Sequence, residues 1–204
     1  MAKPLTDRIA LVTGASRGIG AALALELAQA GAHVVAVART VGGLEELDDR
    51  IKAGGGSATL VPLDVKDSEG IARLALALNE RYQRLDVLIG NAGILGPLSP
   101  LAHVEPKDWD NLIAVNVTAN WQFIRCMDTL LRRSQAGRAV FLTSGVAHLG
   151  RLIGGLTRPR RRPWKHLCGP MRRNVRPRLC ASTYSVPAPH GHACMRVLSR
   201  ASIR

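Results

Sequence analysis

The sequence predicts an α/β fold built on a doubly wound parallel sheet. Two observations carry this prediction. Short apolar, β-branched runs alternate with segments of helical period through residues 1–149. A Gly-rich turn also separates the first apolar run from the first helix. The pattern stops near residue 149, so we expect the sheet to be incomplete on its C-terminal side.

The Gly-rich turn follows a predicted first strand, Ile9 to Val12, and precedes a predicted helix, Ala21 to Ala30. This order places free backbone N–H groups at a helix N-terminus, where they bind phosphate. Glycines there let a pyrophosphate approach the backbone closely; the alternative is an ordinary Gly-rich helix cap. The predicted cofactor-binding residues of the turn are Thr13, Gly14, Ser16, Arg17, Gly18, Ile19 and Gly20.

Arg39 follows the second predicted strand, His33 to Ala38. In dinucleotide folds an acid in this region binds the ribose 2′-hydroxyl of NAD, whereas an arginine accommodates the 2′-phosphate of NADP. Arg17 in the turn supplies a second guanidinium. We therefore predict that NADP is preferred and that NAD is also possible. The alternative for Arg39 is a solvated residue at a strand end.

The third strand is predicted over Ala58 to Leu63, after a helix from Leu44 to Ile51. Asp64 and Val65 lie just past its end, and both are assigned to the cofactor site. The carboxylate of Asp64 can accept a hydrogen bond from an adenine amino group. The alternative is a capping or turn role, because the next helix begins nearby.

The fourth predicted strand, Leu85 to Ile89, runs into Asn91-Ala92-Gly93, after a helix from Ser68 to Tyr82. An asparagine flanked by small residues at the carboxyl end of a strand can order that strand and let a cofactor lie close. Asn91, Ala92 and Gly93 complete the predicted cofactor site. An ordinary turn is the alternative reading.

Two polar residues are the candidate catalytic groups. Asn116 interrupts the apolar stripe of a long predicted helix, Trp109 to Arg133. It is either a satisfied core amide or the holder of a water for proton transfer. Ser144 follows the fifth predicted strand, Arg138 to Thr143, at the edge where ligands of open α/β sheets bind; a cap is the alternative.

Taken together, these motifs resemble the classical short-chain dehydrogenase/reductase family over residues 5–148. The resemblance implies a Rossmann-type sheet and hydride transfer between a nicotinamide cofactor and a small carbonyl or alcohol substrate. It implies that Ser144 hydrogen-bonds the substrate carbonyl and that Asn116 supports a proton-relay water. It also implies a homo-oligomer.

The chain departs from the family after Ser144. The family completes its site with Tyr-x-x-x-Lys about 13 residues later, where the Lys lowers the pKa of the proton-donating Tyr. This chain has Thr157 and Arg161 there, and neither Tyr82 nor Tyr184 has a lysine four residues on. A threonine hydroxyl is too weak an acid for this role, so we expect carbonyl reduction to be impaired.

The net charge of +13 is concentrated in one segment. Residues 150–204 hold 13 Lys and Arg and no acid, whereas residues 1–149 hold 15 of each sign. We expect residues 1–149 to form an NAD(P)-binding domain. We expect residues 150–204 to be a basic, Pro- and Arg-rich tail that is non-native or disordered.

An out-of-frame reading of a reductase gene from about residue 149 explains this break. When each codon takes the third base of one printed codon and two bases of the next, Leu156 to Arg161 can encode Tyr-Ala-Ala-Ser-Lys. In the same frame, Ser182 to Pro189 can encode Asn-Leu-Phe-Ser-Pro-Gly-Pro. A natural divergent tail is the alternative.

Composition also bears on other function classes. No apolar run is long enough to span a membrane, and no signal-peptide pattern follows Met1, so we expect a cytoplasmic protein without a membrane partner. His190-x-His192-x-Cys194 is a weak pattern, and we predict no metal site.

The basic run Arg158 to Pro163 can contact phosphates nonspecifically, but few aromatic residues accompany it for base stacking. We predict no specific nucleic-acid partner. Two alternatives to the oxidoreductase stay open: a non-catalytic nucleotide-binding protein, and a basic-tailed protein that interacts with nucleic acid.

Overall fold

A computed structural model describes residues 3–143 and, as backbone strands, two five-residue stretches nearer the C-terminus. Its strands and helices alternate through residue 141. They are β1 (Ile9–Thr13), α1 (Gly18–Gln29), β2 (His33–Ala38), α2 (Val41–Ala53), β3 (Ser57–Pro62), α3 (Ser68–Tyr82), β4 (Val87–Gly90), α4 (Pro106–Ile113), α5 (Ala119–Arg133), β5 (Arg138–Phe141), β6 (Thr183–Pro187) and β7 (Cys194–Leu198).

The first five strands form one sheet in the order β3-β2-β1-β4-β5. Strand β1 pairs in parallel with β2 and with β4, so that Ala10 stands opposite Val34 on one side and Val87 on the other. The predicted doubly wound parallel sheet is therefore confirmed. Because the strands run in one direction, their carboxyl ends meet at one edge, where such folds bind ligands.

Burial explains why the strands read as continuous apolar runs. All five residues of β1 are buried, and so are Val34 to Ala38 of β2. Strands covered on both faces have no polar face to alternate with. The helices bury one stripe each, which in α2 is Leu44, Leu47 and Ile51, as their spacing predicts.

The long helix predicted over residues 109–133 is helical throughout, although it is not α-helical at every turn. Helix α4 ends at Ile113, and a π-helical turn, Ala114–Thr118, precedes α5. Within that turn, the side-chain amide of Asn116 accepts a hydrogen bond from Ile94 N at 2.9 Å and donates one to Ile94 O at 3.0 Å. The local change from α- to π-helix therefore coincides with a contact to a residue distant in sequence.

The chain divides into two compact units. Among the described residues, the first contains positions through Ala92 together with Ala119–Val140, and the second contains Gly93–Thr118 and those from Phe141 onward. Strands β6 and β7 form an antiparallel pair in which Tyr184 stands opposite Val197. No helix in the described part of the chain is both long and apolar enough to cross a membrane.

Candidate cofactor site

The turn after β1 has the backbone conformation that its glycines predict. Gly14 and Gly18 have φ angles of +65° and +57°. These values lie in the left-handed region, which side chains with a Cβ rarely adopt. A Cβ on Gly18 would meet no atom within 4 Å, so this glycine is needed for its φ angle and leaves open space beside the turn.

Gly20 is required for a different reason. A Cβ there would collide with the carbonyl oxygen of Gly14 and with the side-chain amide of Asn91. The missing side chain lets the first turn of α1 pack directly on the loop. The sequence predicts that Gly18 and Gly20 let a pyrophosphate and the strand approach the backbone closely; the immediate neighbours of Gly20 in the structure are the loop backbone and Asn91.

The N-terminus of α1 points its polar groups toward that loop. The capping residue, Arg17, has an extended backbone, and no side chain caps the first-turn N–H groups. The first turn also carries no acid. The positive end of the helix dipole therefore keeps its attraction for an anion, and the N–H groups of Gly18, Ile19 and Gly20 lie at that end.

A buried hydroxyl joins β1 to the end of β4. Thr13 has no exposed surface, and its Oγ1 accepts hydrogen bonds from Asn91 N and Ala92 N, both at 3.0 Å. It donates to Ile89 O at 3.3 Å. The hydroxyl thus links the carboxyl end of β1 to the backbone at and just after the end of β4.

Asn91 completes the same network from the other side. Its Nδ2 donates to Thr13 O at 3.0 Å and to Gly14 O at 3.1 Å. The side chain therefore holds the Gly-rich loop against the carboxyl end of β4. These contacts order the end of the strand, while the close approach of a cofactor to Asn91 stays a prediction.

Arg39 and Asp64 follow the carboxyl ends of β2 and β3. Ala15 N donates to Val37 O at 3.1 Å, which holds the turn beside the end of β2. Arg39 Nη1 lies 3.9 Å from Asp64 Oδ2, and the Arg39 side chain is 65% exposed. Asp64 Oδ1 also accepts from Lys66 N at 3.0 Å, while Val65 is buried.

The structure therefore brings most of the predicted cofactor residues to one edge of the sheet. These are Thr13, Gly14, Ser16, Arg17, Gly18, Ile19, Gly20, Arg39, Asp64, Val65, Asn91 and Ala92, all in the first unit. Gly93 and Asn116 belong to the second unit. Ser144 lies outside the described residues, as do Thr157 and Arg161.

Asn116 is buried, and its amide is engaged with the backbone of Ile94. That contact matches the core-amide reading; a role toward a relay water stays a prediction. No group of three or more metal-ligating side chains occurs among the described residues. His190 and His192 lie outside that part of the chain.

Tyr82, the last residue of α3, lies near the amino ends of the strands, opposite the predicted cofactor site. Its hydroxyl is 2.9 Å from His33 Nε2 and 3.3 Å from Thr59 Oγ1. His33 and Ser57 are the first residues of β2 and β3 and stand opposite each other, so this cluster marks the amino ends of the strands. Burial and the positive charge of Arg81 lower the pKa of His33 below 6.5.

Asp86 is a second feature of the amino edge that sequence reasoning missed. Its carboxylate accepts hydrogen bonds from Arg8, Ile9 N, Arg84 and Ser134. Burial would raise its pKa, but these hydrogen bonds lower it below 3.8. The only sequence signal is an acid inside an apolar strand pattern.

Comparison with known proteins places the chain in a family. A model of the short chain dehydrogenase family matches residues 8–154, so the chain belongs to that family. Over 154 residues it is 36% identical to the uncharacterized oxidoreductase YciK of Escherichia coli, covering 74% of this chain and 61% of the relative. Over 147 residues it is 34% identical to a 3-oxoacyl-[acyl-carrier-protein] reductase from Synechocystis, covering 72% and 59%.

Solved structures have the same fold. A short chain dehydrogenase from Shigella flexneri complexed with NADP superposes with a TM-score of 0.82 at 31% identity, over 88% of this chain and 76% of that one. YciK from Escherichia coli superposes with a TM-score of 0.82 at 32% identity, over 88% and 75%. The chain spans about three fifths of the length of the curated relatives it matches first.

Proposed function

We propose that this chain is an NAD(P)-dependent oxidoreductase of the short-chain type, a class that interconverts a carbonyl and an alcohol, with NADP preferred and with turnover impaired in the chain as printed. The observation that carries the cofactor assignment is the pair Arg17 and Arg39. They follow the carboxyl ends of two adjacent parallel strands, and the residue directly after β2 is a base and not an acid. Relatives solved with NADP support the same choice.

The described residues fit a dinucleotide. Gly18 leaves open space beside the uncapped N-terminus of α1, and this arrangement suits a pyrophosphate. Thr13 and Asn91 keep the loop in place beneath it. When bound, the nicotinamide ring supplies or accepts the hydride.

Arg39 is available to a 2′-phosphate. Its pairing with Asp64 is long and solvent-exposed, and such pairs contribute roughly 0–1 kcal/mol to stability. An arginine can hold a phosphate through two parallel, charge-assisted hydrogen bonds, which are stronger. Binding therefore exchanges a weak contact for a strong one and leaves Asp64 free to accept from the adenine amino group.

Chemistry at the carbonyl is assigned to groups beyond the cofactor loop. Ser144 hydrogen-bonds the substrate carbonyl, and Asn116 supports the relay water, as the family resemblance implies. The substrate is a small carbonyl or alcohol, and the assembly is a homo-oligomer in the cytoplasm. Residues 1–149 form the cofactor-binding domain, and residues 150–204 form the basic tail.

The chain as printed binds the cofactor without efficient turnover. Tyr82, the tyrosine among residues 3–143, is tied to His33 at the amino edge, far from where ligands bind. This location favours a second candidate function, a nucleotide-binding protein without catalysis. The two functions share the cofactor site and differ only in carbonyl reduction.

Cofactor binding tests the proposal. We expect the protein to bind NADPH more tightly than NADH, and Arg39→Asp to weaken NADPH binding by about 10- to 100-fold, since a charged hydrogen bond contributes about 1.5–3 kcal/mol. NADH binding should change little. Titration calorimetry with both cofactors measures the two ratios.

The matched control is Arg50→Asp, which makes the same charge change in the last turn of α2, away from the carboxyl edge. It should leave the NADPH:NADH ratio unchanged. Equal affinities of the unaltered chain for both cofactors would contradict the NADP preference. Failure to bind either would contradict the site.

A further inference from the structure

The predicted cofactor loop is formed in the described residues, but the sequence lacks the Tyr-x-x-x-Lys that would act with it. The loop, Arg39 and Asn91 are in place, whereas Tyr82 is held at the opposite edge of the sheet. The family match ends at residue 154, close to where the charge composition changes. A folded domain therefore continues directly into sequence of another kind.

We infer that codons from about residue 149 onward are read one base out of register, and that the correct frame encodes a Tyr-x-x-x-Lys, a helix and a sixth strand. In that frame each codon consists of the third base of the codon for one printed residue and the first two bases of the codon for the next residue. The inference rests on family membership and on the printed residues. It does not depend on which cofactor is bound.

The shifted frame supplies the missing pair at the required place. A Leu156 codon that ends in T, followed by the AC of Thr157, reads TAC, a tyrosine codon. Arg160 ending in A, followed by the AG of Arg161, reads AAG, a lysine codon. Restoring one lost base upstream puts the tyrosine at position 157, thirteen residues after Ser144.

The next features of the shifted frame do not depend on which synonymous codons the gene uses. Trp164 has one codon and ends in G, and Lys165 begins AA, so their junction always reads GAA, glutamate. The junctions of Pro163 with Trp164 and of Leu167 with Cys168 always read NTG, which encodes Leu, Val or Met. Apolar residues thus fall three and seven positions after the shifted lysine, with an acid at four.

That spacing is the pattern of an amphipathic helix. The printed segment shows no such period and contains no acid. The helical period and the acid are absent from the printed residues but present in the shifted frame. In that frame the first two bases of the codon of each printed residue become the last two bases of a codon, so a different set of amino acids is encoded. The printed residues alone fix these two apolar positions and the glutamate, so no choice of synonymous codons is needed to obtain them.

A strand pattern follows the helix pattern. The junction of Leu179 with Cys180 always reads NTG, and that of Thr183 with Tyr184 always reads NTA, so both are apolar. When Ser182 uses a TCN codon, its junction with Ala181 is also apolar. Apolar residues then alternate with others, as in a strand, and lead into the Ser-Pro-Gly-Pro run.

Helix and strand in this order are what the observed sheet needs next. Strand β5 ends the described five-stranded sheet, and a crossover helix followed by a parallel strand would extend it in the usual right-handed manner. Tyrosine and lysine would then begin that crossover helix, close to the carboxyl end of β5. The shifted frame thus continues the alternation of the first 141 residues.

The deciding measurement is the DNA sequence of the gene across codons 144–190. We expect Leu156 to end in T, Arg160 to end in A, Arg161 to begin with AG, and the shifted frame to stay open through Pro189. A stop codon in that frame, or the absence of Tyr-x-x-x-Lys, overturns the inference and supports a natural divergent tail.

Expression of the frame-restored gene separates this inference from the proposed function. With 9,10-phenanthrenequinone as a carbonyl probe, the restored protein should oxidise NADPH, and the printed chain should show at least about 100-fold less. Changing the restored TAC codon to TTC, phenylalanine, should abolish the rate. An open frame that encodes the motif without any reductase activity supports the inference and contradicts the proposed function.

Discussion

At the residue scale, His33 is a histidine whose protonation the fold resists. Burial and the charge of Arg81 lower its pKa below the usual 6.5. Its ring nitrogens contact the hydroxyls of Ser57, Thr59 and Tyr82 within 2.9 Å. The folded protein therefore favours the neutral ring, whereas in the unfolded chain the ring takes up a proton with the ordinary pKa of about 6.5.

This difference makes stability depend on pH. Because the folded pKa is the lower one, the unfolded state takes up more protons as pH falls below about 6.5, and folding loses free energy. We expect the melting temperature to fall between pH 7.5 and pH 5.5, and His33→Gln to reduce that fall. Arg81→Gln should also reduce it. If the melting temperature depended on pH identically in the unaltered chain, His33→Gln and Arg81→Gln, protonation of His33 would not be what destabilises the fold at low pH.

Several residue roles depended on distant partners and were invisible in sequence. Asp86 is held by Ile9 and Ser134, which lie 77 and 48 positions away. An acid in an apolar pattern signals a buried partner but does not say which one. In contrast, the glycines of the loop were predictable because a local φ angle and a local close approach require them.

At the element scale, the β1–α1 loop depends on one glycine for packing. A Cβ at Gly20 would collide with Gly14 O and Asn91. We expect Gly20→Ala to cost about 1–3 kcal/mol of stability, as overpacking does, and to weaken NADPH binding. Urea unfolding and cofactor titration measure these two effects.

Gly42 is the matched control in α2. A Cβ there meets no atom within 4 Å, and the residue is helical. Gly42→Ala should stabilise the protein by about 0.5–1 kcal/mol and leave NADPH binding unchanged. If Gly20→Ala behaved like Gly42→Ala, the close packing of loop and helix would not matter for the site.

Element prediction succeeded where the determining forces are local. The five strands of the sheet follow from short apolar runs, and most observed bounds agree within two residues with those runs. The π-helical turn between α4 and α5 did not follow, because it involves the contact of Asn116 with Ile94, 22 positions earlier. Helix α2 begins at Val41, earlier than its apolar stripe alone predicted.

At the scale of the whole molecule, the charge distribution separates two parts of the chain. The acids and bases of residues 1–149 balance, and the excess of +13 belongs to residues 150–204. Like charges repel at low ionic strength and oppose self-association. Salt screens this repulsion over about 8 Å at physiological ionic strength, so any exposed edge of the sheet then governs solubility.

Strand β5 is one terminal strand of the five-stranded sheet, since among the described strands of that sheet none lies beyond it. An unpaired edge offers free N–H and C=O groups to another chain and promotes aggregation. We expect the printed chain to scatter light increasingly with protein concentration at 0.15 M salt. The frame-restored protein, whose sixth strand would cover β5, should remain monodisperse or form a defined oligomer. Equal scattering from both proteins would show that the edge of β5 is already protected in the printed chain.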